Sequence, residues 1–218
     1  MHSLSPAMSR DQLFKSRNIP LIADFFLNKC LMRTHKHTYR ICEVEFYIHH
    51  SEHEDHYVHL SKNLLRYGKL YFHEFKNGSF MEGNYKGMDF VFGDESKNHK
   101  FAILVRSVLN INTNHFTEGP SKTVSLILEE YGHEKVRNFW PEVKNTDIFE
   151  AGQKIWIEER QDLKQMEVWA GDRIGLSDKY PEFKTKAYRY LIMPNKIKKG
   201  KKSLMLVDNS KHGHKKMS

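Results

Sequence analysis

The run Arg40-Ile41-Cys42-Glu43-Val44-Glu45-Phe46-Tyr47-Ile48 most restricts what this chain can fold into. Side chains on a strand alternate with period two. Cys42, Val44, Phe46 and Ile48 therefore share one apolar face, and Glu43, Glu45 and Tyr47 share the other. Carboxylates opposite an apolar face ordinarily meet water. Here two of them share a side with an aromatic ring, and His56 follows at a fixed distance.

Further strands are expected at Leu70 to Phe75, Met88 to Phe92 and Phe101 to Arg106, separated by Gly, Asn and Asp punctuation. Strand-like pieces return at Lys154 to Glu158, Glu167 to Ala170 and Lys186 to Ile192. Pro20 opens a helix with Leu21, Ile22, Phe25 and Phe26 at helical spacing. Gly119-Pro120-Ser121 opens another, with Ser121 as cap and Val124, Ile127, Leu128 and Tyr131 on one face. Short strands without regularly alternating helices imply an α+β fold: a single domain with helices on a curved, mainly antiparallel β-sheet. The expected limits are a flexible segment over 1–17, the domain over 18–208 and a basic flexible tail over 209–218.

At 218 residues the chain is long enough for one substantial core. Its 39% hydrophobic and 28% charged content fits a globular protein, not a disordered one. Cys30 and Cys42 sit in apolar stretches and read as packed thiols, so no disulfide framework is expected. No apolar run reaches membrane-spanning length, and no signal-type segment opens the chain. An intracellular protein without membrane attachment is expected.

Thirty-five Lys and Arg against 27 Asp and Glu give a formal charge of +8, which favours a polyanionic partner such as nucleic acid. The excess is concentrated near the end. Lys196, Lys198, Lys199, Lys201 and Lys202 form a basic loop, followed by Leu204 to Val207, which returns the chain to the fold. Lys211, His212, His214, Lys215 and Lys216 come last. Such a loop contacts phosphates through charge, without reading sequence.

Taken in order, these segments resemble the alkyladenine (3-methyladenine) DNA glycosylase family of base-excision repair enzymes. The resemblance runs through Leu21 to Leu31, Arg40 to Tyr47, His56, Tyr85-Lys86-Gly87-Met88, Ile103 to Ser107, Gly119 to Lys122, Arg173 to Leu176 and Tyr188 to Tyr190. It implies a monomer that flips a damaged purine out of double-stranded DNA and hydrolyses its N-glycosidic bond. No cofactor or metal is implied, and no lysine is placed for Schiff-base chemistry. The compartment would be the cytoplasm of a bacterium or the nucleus of a eukaryote.

The same resemblance assigns roles. Glu45 activates water, Arg106 helps hold that water, Tyr47 stacks on the flipped base, and His56 lies against the base. Tyr71 and His73 line the pocket wall. Tyr85 enters the gap in the duplex, although Lys86 is an extra residue beside it. Lys122, Lys196, Lys198 and Lys199 meet the DNA backbone. The asparagine with which the family rejects normal guanine falls near Phe92 or Gly93, so that discrimination does not transfer.

Two other readings stay open. A domain of this kind can bind damaged DNA without cutting it. Alternatively, His50, His53, His56 and His59, with Glu52, Glu54 and Asp55 between them, suit a metal-dependent hydrolase or nuclease. Three-residue spacing, however, does not keep four ligands on one narrow helix face.

Overall fold

The structure is a computed structural model, and it describes residues 8–208 and 213–216. Residues 1–7, Lys211 and His212 lie outside the described residues.

The α+β expectation holds. The strands are β1 Cys30–Thr34, β2 Thr38–His50, β3 His53–Glu54, β4 Tyr67–Phe72, β5 Met88–Phe92 and β6 Lys100–Asn110. They continue with β7 His115–Glu118, β8 Ile155–Glu159, β9 Trp169–Gly171, β10 Arg189–Leu191, β11 Met205–Asp208 and β12 Gly213–Lys216. The helices are α1 Arg10–Ser16, α2 Ile19–Asn28, α3 Pro120–Glu130, α4 Val136–Val143 and the single turn α5 Pro181–Lys184. One sheet runs in the order β12-β11-β9-β10-β2-β6-β5-β4, and every pairing among the described residues is antiparallel.

Strand β2 is the centre of this sheet, and its apolar alternation decides where the core lies. Val44, Phe46 and Ile48 pack with Phe101, Ile103 and Val105 of β6 and with Met88, Phe90 and Phe92 of β5. Helices α2, α3 and α4 close the same core with Phe25, Phe26, Val124, Ile127, Leu128 and Phe139. Fully burying each such side chain contributes about 1.5–3 kcal/mol. The other sheet face is left for Glu43, Glu45 and Tyr47. Among the described residues no helix is long and apolar enough to cross a membrane.

Several boundaries differ from expectation for identifiable reasons. Residues 10–16 are a helix, not a loose lead-in: Ser9 accepts from the Gln12 N–H while the Gln12 side chain accepts from the Ser9 N–H, a reciprocal capping box. Phe14 of that helix is buried and stacks on Phe92 with ring centres 3.9 Å apart. In α2, Leu21 turns away from the buried stripe and is 47% exposed, whereas Ile22, Phe25 and Phe26 face the core. Helix α3 is capped by Gly119, at φ 105°, and not by Ser121, whose hydroxyl donates instead to the Gly83 carbonyl. Strand β4 begins at Tyr67 and ends at Phe72, so Glu74 and Phe75 lie beyond it. At the other end, Gly213–Lys216 pairs with Met205–Asp208, so this part of the expected tail is strand.

Candidate functional site

Strands β2 and β6 each carry one residue left out of their pairing. Ile41 pairs with Val108, Glu43 with Ser107 and Val44 with Val105, which leaves Cys42 and Arg106 without a partner. A bulge of this kind re-aims a side chain. The Arg106 guanidinium reaches both glutamates, with Nε 3.2 Å from Glu43 Oε1 and Nη1 3.2 Å from Glu45 Oε1. Burial opposes its charge, but Glu45 and Glu43 outweigh that and hold Arg106 above its ordinary range.

The two glutamates have different surroundings. Glu43 also accepts from Arg189 Nε at 2.6 Å and from the Ser107 hydroxyl. Glu45 is 0% exposed and accepts from the Ile174 N–H at 2.7 Å and the Tyr47 hydroxyl at 2.9 Å. Every partner donates, as a carboxylate requires. Tyr47 stays a phenol, because burial and then the charge of Glu45 push its hydroxyl well above the ordinary tyrosine range.

Tyr47 connects this buried pair of carboxylates to a cavity of about 120 Å³. Its walls are Tyr47, Tyr57, His59, Leu64, His73, Asp89, Ala102 and Leu176. By volume this holds about four waters, the scale of a single heterocycle. Arg173 lies over the Tyr47 ring, 4.7 Å from its centre, and is fixed by Asp55, with Nη1 2.6 Å from Oδ2. One ring face is thus covered by a paired cation.

Across the cavity stand two histidines. Tyr71 accepts from the Glu74 N–H and lies 2.9 Å from His59 Nδ1. Its hydroxyl proton is then available to Nδ1, leaving Nε2 of the neutral His59 ring protonated. Burial, followed by repulsion from His73, lowers His59 to about 4 despite the nearby Asp89. His73 Nε2 is 3.2 Å from Asp89 Oδ1. Its ring lies directly on Gly87, where an added Cβ would come within 2.4 Å of the imidazole. A side chain at this position would therefore have to displace the His73 ring.

The structure thus joins Glu45, Arg106 and Tyr47 in one cluster and puts Tyr47 and His73 on one cavity. His56 belongs to neither. It is exposed, lies against Tyr180 with ring centres 4.3 Å apart, and lines, with Leu60, Phe75 and Tyr180, a larger adjoining cavity that shares Tyr57 and His59 with the smaller one. The short pairing of His53 with His50 turns the chain early, and His59, three residues later, takes the place opposite Tyr47. Tyr71 stands behind His59 and lines that larger cavity, not the smaller one. Phe92 stacks on Phe14, and Gly93 packs against the backbone of Leu64 and Leu65. Neither reaches the small cavity; Asp89 does.

Tyr85 is 74% exposed on a turn that Ser121 secures through Gly83, and Lys86 donates to Ser125 at 2.7 Å. The extra residue is thus tied to α3. Lys122 is exposed in the first turn of α3, and Lys196, Lys198 and Lys199 are exposed in their loop. That loop is fixed through its backbone: Glu118 accepts from the Lys198 and Lys199 N–H groups, and Arg189 donates to the Lys199 and Gly200 carbonyls.

The run of histidines does not form a ligand set. His50 lies against His99, His53 meets Tyr188 and Phe183, and His59 faces the cavity. Among the described residues no three His, Cys, Asp or Glu side chains converge to hold a metal ion. The sequence gives no role in this cluster to Asp89, Arg173 or Arg189, and His59 and Asp55 enter it only as candidate metal ligands. Buried charge pairs between distant segments leave no local pattern, although Asp89, between apolar Met88 and Phe90, is a polar break in an otherwise apolar strand.

No protein-family model matches the chain. Over 194 residues, covering 84% of this chain and 89% of the other, it is 36% identical to an uncharacterized protein of Acanthamoeba polyphaga mimivirus. Identity at that level over nearly the whole of both chains means that this chain belongs to the family of that mimivirus protein.

Proposed function

We propose that the chain is a monofunctional DNA glycosylase of the alkyladenine type, an intracellular monomer that removes a damaged purine from duplex DNA. The observation that carries this reading is Glu45, a buried carboxylate joined through the Tyr47 hydroxyl to a cavity the size of one base. A flipped base would stack on the face of Tyr47 that Arg173 leaves uncovered. Glu45 takes a proton from water, and the water oxygen bonds to the anomeric carbon as the C–N bond breaks. The bonding pair leaves with the base. A buried carboxylate also stabilises the positive charge that develops on the sugar. Tyr85 fills the space the base vacates, and the Lys196, Lys198 and Lys199 loop with Lys122 meets the phosphates.

One observation favours binding without cleavage as a second reading. Glu45 has no exposure, and the Tyr47 hydroxyl occupies Oε2, where water would otherwise bond. Hydrolysis therefore requires water to reach the second lone pair of Oε2, which the hydroxyl leaves open. Single-turnover base release separates the two, using duplexes carrying 3-methyladenine, 7-methylguanine, hypoxanthine or ethenoadenine and alkali to reveal abasic sites. Release that is lost in Glu45→Gln supports hydrolysis. Tight, salt-dependent binding with no release from any duplex supports the second reading.

A further inference from the structure

The small cavity contains a carboxylate for which water activation has no use. Asp89 is 3% exposed, and among the described residues only His73 bonds its carboxylate, through Oδ1. Asp89 lines the cavity, and a ligand that donates there to the carboxylate oxygen His73 leaves free gains a charge-assisted hydrogen bond.

The other walls add no competing anion. Leu64, Ala102 and Leu176 are apolar, Tyr47 is held as a phenol, and burial keeps His59 uncharged above about pH 4. Glu45 is already satisfied by three donors, and the Arg173 cation is paired with Asp55. Register pairs Asp89 with Tyr71 on β4 and Leu104 on β6, and Gly87 fixes the His73 ring against the carboxylate.

We propose that Asp89 makes this cavity selective for purines that carry both a positive charge from ring N-alkylation and an exocyclic amino group. This rests on the glycosylase reading only in taking the occupant to be a flipped base. The amino hydrogens of 7-methylguanine or 3-methyladenine donate to Asp89, and their charge complements it. Hypoxanthine and ethenoadenine are neutral and have no free amino group, so neither offers this pairing. A hydrogen bond to a charged partner is worth about tenfold to a hundredfold in affinity.

The test uses Glu45→Gln protein, which keeps the base attached, and fluorescence anisotropy with duplexes carrying 7-methylguanine, hypoxanthine or ethenoadenine. The expected result is a preference of at least about tenfold for 7-methylguanine. The near-isosteric Asp89→Asn in the same background brings the three to near parity, and using the same duplexes throughout cancels differences in their pairing strength. Equal affinities with Asp89 intact, or a preference that survives Asp89→Asn, overturn the proposal. So does native protein that releases hypoxanthine or ethenoadenine as fast as 7-methylguanine, an outcome that leaves hydrolysis itself standing. Selective binding with no base release has the opposite meaning: selectivity stands and hydrolysis falls. No binding to any duplex overturns both.

Discussion

Glu43 and Glu45 are the same residue type, two positions apart on the same strand face, share Arg106 and are almost equally buried. Glu43 is enclosed by two guanidinium groups and a serine hydroxyl. Glu45 has one guanidinium, one backbone N–H and one tyrosine hydroxyl that also borders the cavity. Burial alone therefore does not separate the two carboxylates. The difference lies in whether a partner can be replaced by a ligand without leaving a charge stranded.

The largest expected effect is on stability. Glu43→Ala leaves Arg106 and Arg189 buried without their shared partner and should cost about 3–5 kcal/mol, read from urea unfolding. Glu45→Gln should lower base release about 10²–10⁴-fold while shifting the unfolding midpoint far less. A Glu43 variant that keeps its stability but loses release would erase the distinction between the two sites. Gly87→Ala comes next: it displaces His73 from Asp89, and affinity for a 7-methylguanine duplex should fall about tenfold in a folded protein.

A pH experiment sharpens the contrast on the cavity side. His59 is lowered to about 4 by burial and then by His73, so between about pH 6.5 and 4 the unfolded chain binds a proton that the folded one refuses. Its contribution is constant above pH 6.5, and stability is lost as the pH falls through this window. His59→Gln should flatten that part of the profile, and the His59 ring signals should show no titration near neutrality. The smallest effect is expected at the surface. Lys198→Ala should reduce the salt slope of DNA binding by about one and leave unfolding unchanged.

Some of this was legible in the sequence. Period two along β2 separated the core face from the site face, and β5 ran over the residues expected. The Ser9–Gln12 capping box was also readable and would have extended the domain to α1. Periodicity could not say that the second face of β2 meets arginines and not water. Arg189 lies 146 residues from Glu43, and Arg173 118 residues from Asp55. His56 illustrates a different limit. Residue spacing counts positions, whereas the β3 pairing turns the chain and brings His59 to the wall instead.

The clamp on the basic loop separates two properties that proteins often confound. Arg189 and Glu118 hold the path of residues 198–200 through main-chain carbonyls and N–H groups, so no lysine side chain is spent on keeping the loop in shape. The loop is in effect a fixed rail with interchangeable fittings. Its charge can be raised, lowered or patterned by substitution while these backbone bonds keep its course.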